Sequence, residues 1–197
     1  MKWGSFLRPA HTARWAVGER AACAILAAAA LAPLPLAAQA TGSTVADAQI
    51  LDPIVLGPGA DLDFGQITIA GNPGTVLIQP NAGPTCATTG GLVHAGDCRA
   101  ARFDGDVTFL FLLRVTRPVG NQITLTGPMG ATMQVTNLTY GMTTAAWNLG
   151  LAGNDMRYLI LTGNGNFTLY VGGTLNVAAT QRPGVYTGTF ALEFNYD

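Results

Sequence analysis

The chain has 197 residues, and only 11% of them are charged. Its first 20 residues hold four of its ten basic side chains, so residues 41–197 keep six Arg and no Lys against ten acidic residues, a net charge of about −4. A surface that is acidic and free of Lys argues against nucleic acid and anionic lipid as partners.

The N-terminus has the order of a secretory signal. Basic residues come first, an apolar stretch spans residues 21–38, and Ala38-Gln39-Ala40 supplies the small residues of a cleavage site. Pro33 and Pro35 argue against a retained membrane anchor, because proline breaks a helix. We therefore predict a signal peptide over residues 1–40 and export through the inner membrane. The cell surface or the medium is the expected destination, and the mature chain is not expected to insert in a membrane.

The remaining 157 residues fit one domain with a core of its own. A flexible arm is predicted over residues 41–48, and an all-β domain over residues 49–197, because short alternating segments lie between Gly and Pro turns. The predicted strands, in chain order, are Ile50–Leu56, Leu62–Ile69, Thr75–Gln79, Ala100–Phe103, Val107–Val115, Asn121–Thr126, Thr132–Thr139, Leu159–Leu161, Phe167–Val171, Thr174–Val177 and Val185–Tyr196.

The connections between these strands also carry predictions. Val107–Val115 is apolar on both faces, which is typical of a central strand. Asp104-Gly105 and residues 163–166 are interpreted as hairpin turns. Residues 81–96 are expected to form a loop, and Tyr140–Tyr158 is expected to be irregular.

Two cysteines remain after the predicted cleavage, Cys86 and Cys98. An exported chain with two cysteines usually pairs them, and their spacing does not fit a Cys-x-x-Cys redox or zinc motif. We predict a disulfide, which contributes about 3 kcal/mol by chain entropy.

Catalytic chemistry is not expected, and neither is a metal or a cofactor. Ser43 is the only serine after residue 40 and lies in the arm, and His94 is the only histidine there and is expected to be solvated. The pairs Asp61/Asp63 and Asp104/Asp106 are able in principle to hold Ca²⁺ or to act as acid and base. We interpret all four residues as turn formers, because each lies within two positions of a Gly.

The last thirteen residues alternate with a period of two. One face carries Tyr186, Gly188, Phe190, Leu192, Phe194 and Tyr196. The chain then ends, so no later segment is available to cover the outer side of this strand. Such an edge recruits strands from other chains. We predict an assembly edge made of Gly184, Tyr186, Phe190, Leu192, Phe194 and Tyr196.

The same segment resembles the end of chaperone–usher pilins, which carry a penultimate tyrosine and a glycine fourteen places from the end, as Tyr196 and Gly184 do here. The whole chain resembles the secreted bacterial family catalogued as domain of unknown function 4402, akin to spore coat protein U. The matching segments are Ile54-Val55-Leu56, Leu62-Asp63-Phe64-Gly65, Gly74-Thr75-Val76, Val171-Gly172-Gly173-Thr174-Leu175 and Gly184-Val185-Tyr186-Thr187-Gly188-Thr189-Phe190. The resemblance implies an immunoglobulin-like, pilin-type β-sandwich and a surface or pilus role, and it supplies no catalytic residues.

Two functions of different classes follow. The leading interpretation is a structural or adhesive subunit, an incomplete sandwich joined by strand addition to other copies or related subunits, with a periplasmic chaperone and an usher as further candidate partners. The arm offers only small apolar residues as a donor, so the donor strand is not identified. The alternative is a closed β-sandwich that binds glycans or a surface partner through residues 140–158, with Trp147 and Tyr158 as an aromatic platform.

Overall fold

The computed structural model of the protein describes residues 48–57 and 59–197. The predicted signal peptide and all but the last residue of the predicted arm lie outside them. The described residues form strands joined by turns, with short 3-10 turns at Val119–Asn121 and Pro128–Gly130. The strands are β1 (Val55–Leu56), β2 (Gln66–Thr68), β3 (Gly74–Ile78), β4 (Cys86–Thr88), β5 (Val93–Ala95), β6 (Ala101–Asp106), β7 (Leu112–Thr116), β8 (Ile123–Thr126), β9 (Thr132–Met142), β10 (Ala146–Ala152), β11 (Asp155–Ile160), β12 (Asn166–Val177) and β13 (Glu193–Tyr196).

The larger sheet has seven antiparallel strands arranged around the long strand β12. On one side of β12, β6 pairs with its first half and β3 with its second half. Strands β1 and β4 extend the sheet outward from β6 and β3. On the other side, β9 pairs along β12 and β8 pairs with β9.

A second sheet has four antiparallel strands in the order β10-β11-β7-β13. Strands β2 and β5 form a separate two-stranded sheet. The all-β prediction is therefore confirmed, with antiparallel sheets packed as a sandwich. Among the residues that the structure describes, no helix has the length and apolar character needed to cross a membrane.

The core follows one face of β12 through two clusters of buried side chains. The first lies between the two larger sheets, where Leu113, Val115 and Ile160 meet Phe167 and Leu169. All five are at most 1% exposed. Burying a side chain of this size stabilises the fold by about 1.5–3 kcal/mol.

The second cluster occupies the remaining half of the same face of the larger sheet. Val76 and Ile78 lie on one face of β3, and both are fully buried. This half is covered by Phe64 and Leu92, which lie in the connecting segments before β2 and β5, and not by the four-stranded sheet. The sandwich is therefore completed by loops at one end.

Two glycine-containing segments that were interpreted as turns or breaks lie inside strands. Asp104-Gly105 is part of β6, where a side chain at Gly105 would collide with the ring of Phe167. Gly172-Gly173 lies within β12, so the two predicted strands there are one. In both places glycine marks a close approach by a neighbour, a role that the sequence does not distinguish from a turn.

Other predicted boundaries are also wrong. The apolar run Val107–Val115 is a strand only from Leu112, because Leu110 has a positive φ of 63° and the chain turns there. Its strand β7 is central in the four-stranded sheet, but it alternates buried and part-buried side chains. Residues 81–96 contain β4 and β5. Tyr140–Tyr158 contains β10 and the first four residues of β11, and these two strands form a hairpin. The turn at residues 163–166 joins β11 to β12 in different sheets, so it is not a hairpin.

Candidate functional site: the C-terminal sheet edge

The C-terminal segment crosses from one sheet of the sandwich to the other. The strand predicted over Val185–Tyr196 is too long, because regular pairing is confined to β13. An isolated bridge joins Thr187 to Thr126 at the end of β8. Residues 188–192 make no backbone–backbone hydrogen bond with any described residue. A strand that leaves one sheet for another must interrupt its ladder, which explains the gap.

The alternation predicted for this segment is present in the structure. Tyr186, Phe190, Leu192, Phe194 and Tyr196 are part-buried, and the residues between them are exposed. None of the five is fully buried. The apolar face therefore packs on the core and still keeps accessible surface.

Strand β13 forms an edge of the four-stranded sheet, with β7 as its partner. The Asp197 N–H donates to the Leu112 carbonyl at 3.1 Å. Because backbone groups of an antiparallel strand point alternately to either side, Glu193 and Asn195 also face β7, whereas Phe194 and Tyr196 direct their N–H and C=O groups outward. Within residues 48–57 and 59–197, no segment pairs with that outer side.

Aromatic contacts hold β13 against the larger sheet. The Phe194 ring stacks on Phe167 at 5.8 Å between centroids and lies 5.9 Å from Phe103. Phe103 also meets Phe190 edge to face at 6.0 Å. Each such pair contributes about 0.5–1.5 kcal/mol beyond the area that it buries. The inner face of the edge is thus anchored while its backbone stays open.

The hydroxyl group of Tyr196 ties the last strand to distant parts of the chain. It accepts a hydrogen bond from the Thr108 N–H at 2.8 Å and donates to the Asp52 carbonyl at 2.8 Å. Asp52 in turn donates its N–H to the Thr108 hydroxyl at 3.1 Å. The penultimate tyrosine therefore joins the segment before β1, the turn before β7 and β13.

The side chain of the last residue is held by two arginines on the outer face of the four-stranded sheet. Asp197 lies 2.7 Å from Arg157 Nε and 3.7 Å from Arg114 Nη1, and its side chain is 16% exposed. The two arginines face each other across β11 and β7. This clamp fixes the end of β13 without covering its edge.

Gly184 and Tyr186 lie away from β13, at the turn between β8 and β9. The Tyr186 hydroxyl donates to the Arg182 carbonyl at 2.8 Å, and its ring covers Gly127, where a side chain would collide with it. Gly184 has a φ of 144°, and a side chain there would collide with Pro128. The six predicted edge residues are therefore split, with only Phe194 and Tyr196 on the paired strand.

The predicted disulfide between Cys86 and Cys98 is present, and it joins β4 to the segment before β6. His94 lies beside it, with Nε2 at 3.5 Å from Cys98 Sγ, so the prediction of a solvated histidine is wrong. The three side chains form a possible ligand set by distance alone. Both sulfurs are used in the disulfide, however, and His94 Nε2 lies 3.0 Å from the Phe64 carbonyl. A nitrogen that donates to a carbonyl has no lone pair for a metal, so this cluster is a structural contact.

The paired carboxylates have local roles. Asp63 Oδ1 accepts the N–H of Gly65 at 2.9 Å, which is the predicted turn chemistry. Asp104 instead lies inside β6, where it pairs with Arg102 at 2.9 Å and accepts from the Thr168 hydroxyl at 2.9 Å. The turn interpretation is thus wrong for Asp104.

The aromatic platform proposed for the closed binding module does not form. Tyr158 points into the core with 3% exposure, and burial raises the pKa of its hydroxyl. Trp147 is 64% exposed and pairs across the strand with Leu159, on the opposite face of the sheet. The two aromatic residues therefore share no surface.

Sequence reasoning missed the edge strand β10, to which Trp147 belongs. Trp147, Leu149 and Leu151 alternate, and Gly153-Asn154 provides a two-residue turn back into β11. These are hairpin signals. They are present in the sequence, within the stretch that was expected to be irregular.

A comparison with known protein families identifies the family of the chain. The model of the family described as domain of unknown function (DUF4402) matches residues 55–196, and the chain belongs to this family. No curated protein and no solved structure matches the chain. The matched region begins with β1 and ends at Tyr196, so it takes in both edges of the four-stranded sheet.

Proposed function

We propose that this protein is an exported structural or adhesive subunit of the cell surface, of pilus or coat type, which assembles by adding a strand to the outer side of β13. One observation carries the proposal. Within the part of the chain that the structure describes, β13 pairs on one side only and turns the backbone groups of Phe194 and Tyr196 outward. A partner strand would use main-chain hydrogen bonds, which suit assembly without covalent links.

The side chains next to this edge support the same function. Phe190, Leu192, Phe194 and Tyr196 are part-buried, so a strand laid beside β13 would complete their burial. Each additional 100 Å² of apolar area removed from water would contribute roughly 2.5 kcal/mol. An edge that serves no partner is usually blocked by charged side chains, above all Lys, or by Pro. Strand β13 has no Lys and no Pro, and its single charged residue is Glu193 at its first position.

Export and a surface destination are part of the proposal. The signal-like residues 1–40 support export. The disulfide between Cys86 and Cys98 supports an oxidising compartment, because cytosolic thiols are kept reduced. The resemblance to chaperone–usher pilins at Tyr196 and Gly184 supports a pilus-type role.

The test is self-assembly of the full chain, exported into a bacterial periplasm and purified with its disulfide intact. Sedimentation velocity and negative-stain microscopy are expected to show multimers that grow with concentration. The pair Ala191→Lys and Glu193→Lys, which places charges at the edge, is expected to shift the protein toward monomer. The matched pair Val119→Lys and Asp61→Lys changes the same charges at exposed positions away from β13 and should leave assembly unchanged. A wild-type protein that stays monomeric at all concentrations would contradict the proposal.

A further inference from the structure

Among the residues that the structure describes, no strand pairs with the outer side of β10, so the four-stranded sheet has a second open edge there. This strand exposes three large apolar side chains, with Trp147 64%, Leu149 54% and Leu151 62% accessible. No charged residue occurs between Arg117 and Asp155, so the edge has no charge to repel a partner. Charged residues and Pro are the usual protection of an edge strand, and β10 lacks both.

The backbone of β10 is available on its outer side. The Leu161 N–H donates to the Ala145 carbonyl at 2.8 Å, which places these two residues in a hydrogen-bonded pair. By alternation, Ala146 and Asn148 turn their backbone groups away from β11. A bulge follows, since Leu149 is an extra residue between the pairs of Asn148 and Gly150. Three regular residues therefore precede the bulge and three follow it.

Strand directions make β10 and β13 suitable partners for each other. The sheet contains four strands, and each is antiparallel to the next. The two edge strands therefore run in opposite directions. When a second copy is placed beside the first in the same orientation, its β10 lies antiparallel to β13 of the first copy. The sheet then continues from copy to copy with the same pairing throughout.

Charge favours this pairing over the pairing of β13 with itself. Strand β13 begins with Glu193 and is followed directly by Asp197, whereas β10 has no charged residue. Two copies of β13 related by a twofold axis would place Glu193 of each copy beside Asp197 of the other. Like charges facing each other across strands are destabilising, and Arg157 and Arg114 offset only part of this repulsion because they pair with Asp197 alone. Pairing with β10 avoids that repulsion and covers its apolar side chains.

We propose that β13 of one copy pairs with β10 of the next, so that the four-stranded sheets join head to tail. This inference rests on the proposed function and names the surface that receives the C-terminal edge. Because the two surfaces differ, the contact is heterologous, and it extends into a filament when the rotation between successive copies does not close a ring. The partner is a second copy of this chain, and no donor arm has to leave its own domain.

Cross-linking of single cysteines tests the geometry. In the full exported chain with Cys23→Ser, Ala152→Cys lies on β10 and Asn195→Cys on β13, and both positions are exposed. Both side chains also lie on the outer face of the sheet, because Ala152 pairs across strands with Asp155 and Asn195 pairs with Arg114, and these two partners are on that face. A flexible bismaleimide leaves the native disulfide untouched and tolerates small differences in register.

The expected result is a cross-linked dimer only when the two single variants are mixed, and a ladder of longer products from the double variant. Dimers of Ala152→Cys alone would indicate twofold pairing of β10, and dimers of Asn195→Cys alone would indicate twofold pairing of β13. Either of these results, or the absence of any product, would overturn the inference.

A second measurement separates this inference from the function on which it rests. The pair Leu149→Lys and Leu151→Lys should lower the multimer fraction at least tenfold at the wild-type assembly concentration. Val119→Lys with Met129→Lys, at two exposed apolar positions away from β10, should not. If the wild type assembles and the β10 variant assembles equally well, strand addition at β13 stands and β10 is not the receiving edge. If the wild type itself stays monomeric, the proposed function fails as well.

Discussion

Removal of one hydroxyl group tests whether Tyr196 acts as a structural tie. In Tyr196→Phe the ring keeps its edge-to-face contact with Phe111 at 6.0 Å, and only the hydrogen bonds with Thr108 and Asp52 are lost. An unpaired buried N–H costs about 1–3 kcal/mol. The Thr108 N–H is part-buried, whereas Asp52 is exposed and regains water. We therefore expect a loss of about 1–2 kcal/mol, near the lower end of that range.

The assay is urea unfolding monitored by far-UV circular dichroism, under conditions in which the protein is monomeric. For a domain of this size, 1 kcal/mol corresponds to about 2–4 °C in Tm, so thermal unfolding provides a second measure. Tyr186→Phe is the matched control. Among the described residues its hydroxyl forms hydrogen bonds only with Gln181 and Arg182, within the same turn, and its removal should cost about 0.5–1 kcal/mol.

Either of two results would contradict the predicted role of the Tyr196 hydroxyl. If Tyr196→Phe unfolds with the same free energy as the wild type, water has replaced both contacts and the tie between the distant segments has no energetic weight. If both tyrosine variants lose the same amount, the long-range position of Tyr196 contributes nothing beyond an ordinary hydrogen bond.

Three further predictions concern the turn glycines, the titration of a tyrosine and the disulfide. Gly165 has a φ of 77° and packs against a backbone carbonyl, so Gly165→Ala should lower the free energy of unfolding by at least about 2 kcal/mol, in the upper part of the range for backbone strain. A side chain at Gly163 would meet nothing within 4 Å, so Gly163→Ala should be near neutral in the same urea titration. Burial raises the pKa of Tyr140 from 10.0 to about 12, so the stability that its neutral hydroxyl contributes is complete below pH 10 and is lost as the pH rises toward 12. Tyr140→Phe should therefore reduce the fall in the free energy of unfolding between pH 10 and pH 12, and an unchanged pH dependence would contradict this assignment. Reduction of the Cys86–Cys98 disulfide, whose partners are 12 residues apart, should lower the free energy of unfolding by about 3 kcal/mol, and an unshifted urea midpoint in dithiothreitol would show that the loop is constrained without it.

Local patterns in the sequence determined the fold class and several elements of the site. Alternating residues placed Val76 and Ile78 on one buried face, and the same period placed Phe194 and Tyr196 on the inner side of the last strand. The cysteine count and the expected compartment sufficed to pair Cys86 with Cys98. These features depend on near neighbours in the chain or on composition, which is why they are readable without coordinates.

The roles of the glycines required tertiary structure. Gly105 resembles a hairpin turn in sequence, but it lies inside β6 because the ring of Phe167, which is 62 positions away, fills the space of its missing side chain. The conformational preference of glycine shows which backbone angles it tolerates, but it does not show which distant side chain packs against it.

Strand pairing was the part that only the tertiary structure decided. The alternation of Val185–Tyr196 predicts a strand but does not say which backbone it meets, and the segment divides between Thr126 in one sheet and β7 in the other. The open edges at β13 and β10 likewise exist only because two segments distant in sequence occupy the ends of one sheet. Side-chain periodicity is a local property of the chain, whereas the hydrogen-bond partners of a strand are set by long-range packing, and the proposed assembly depends on the second.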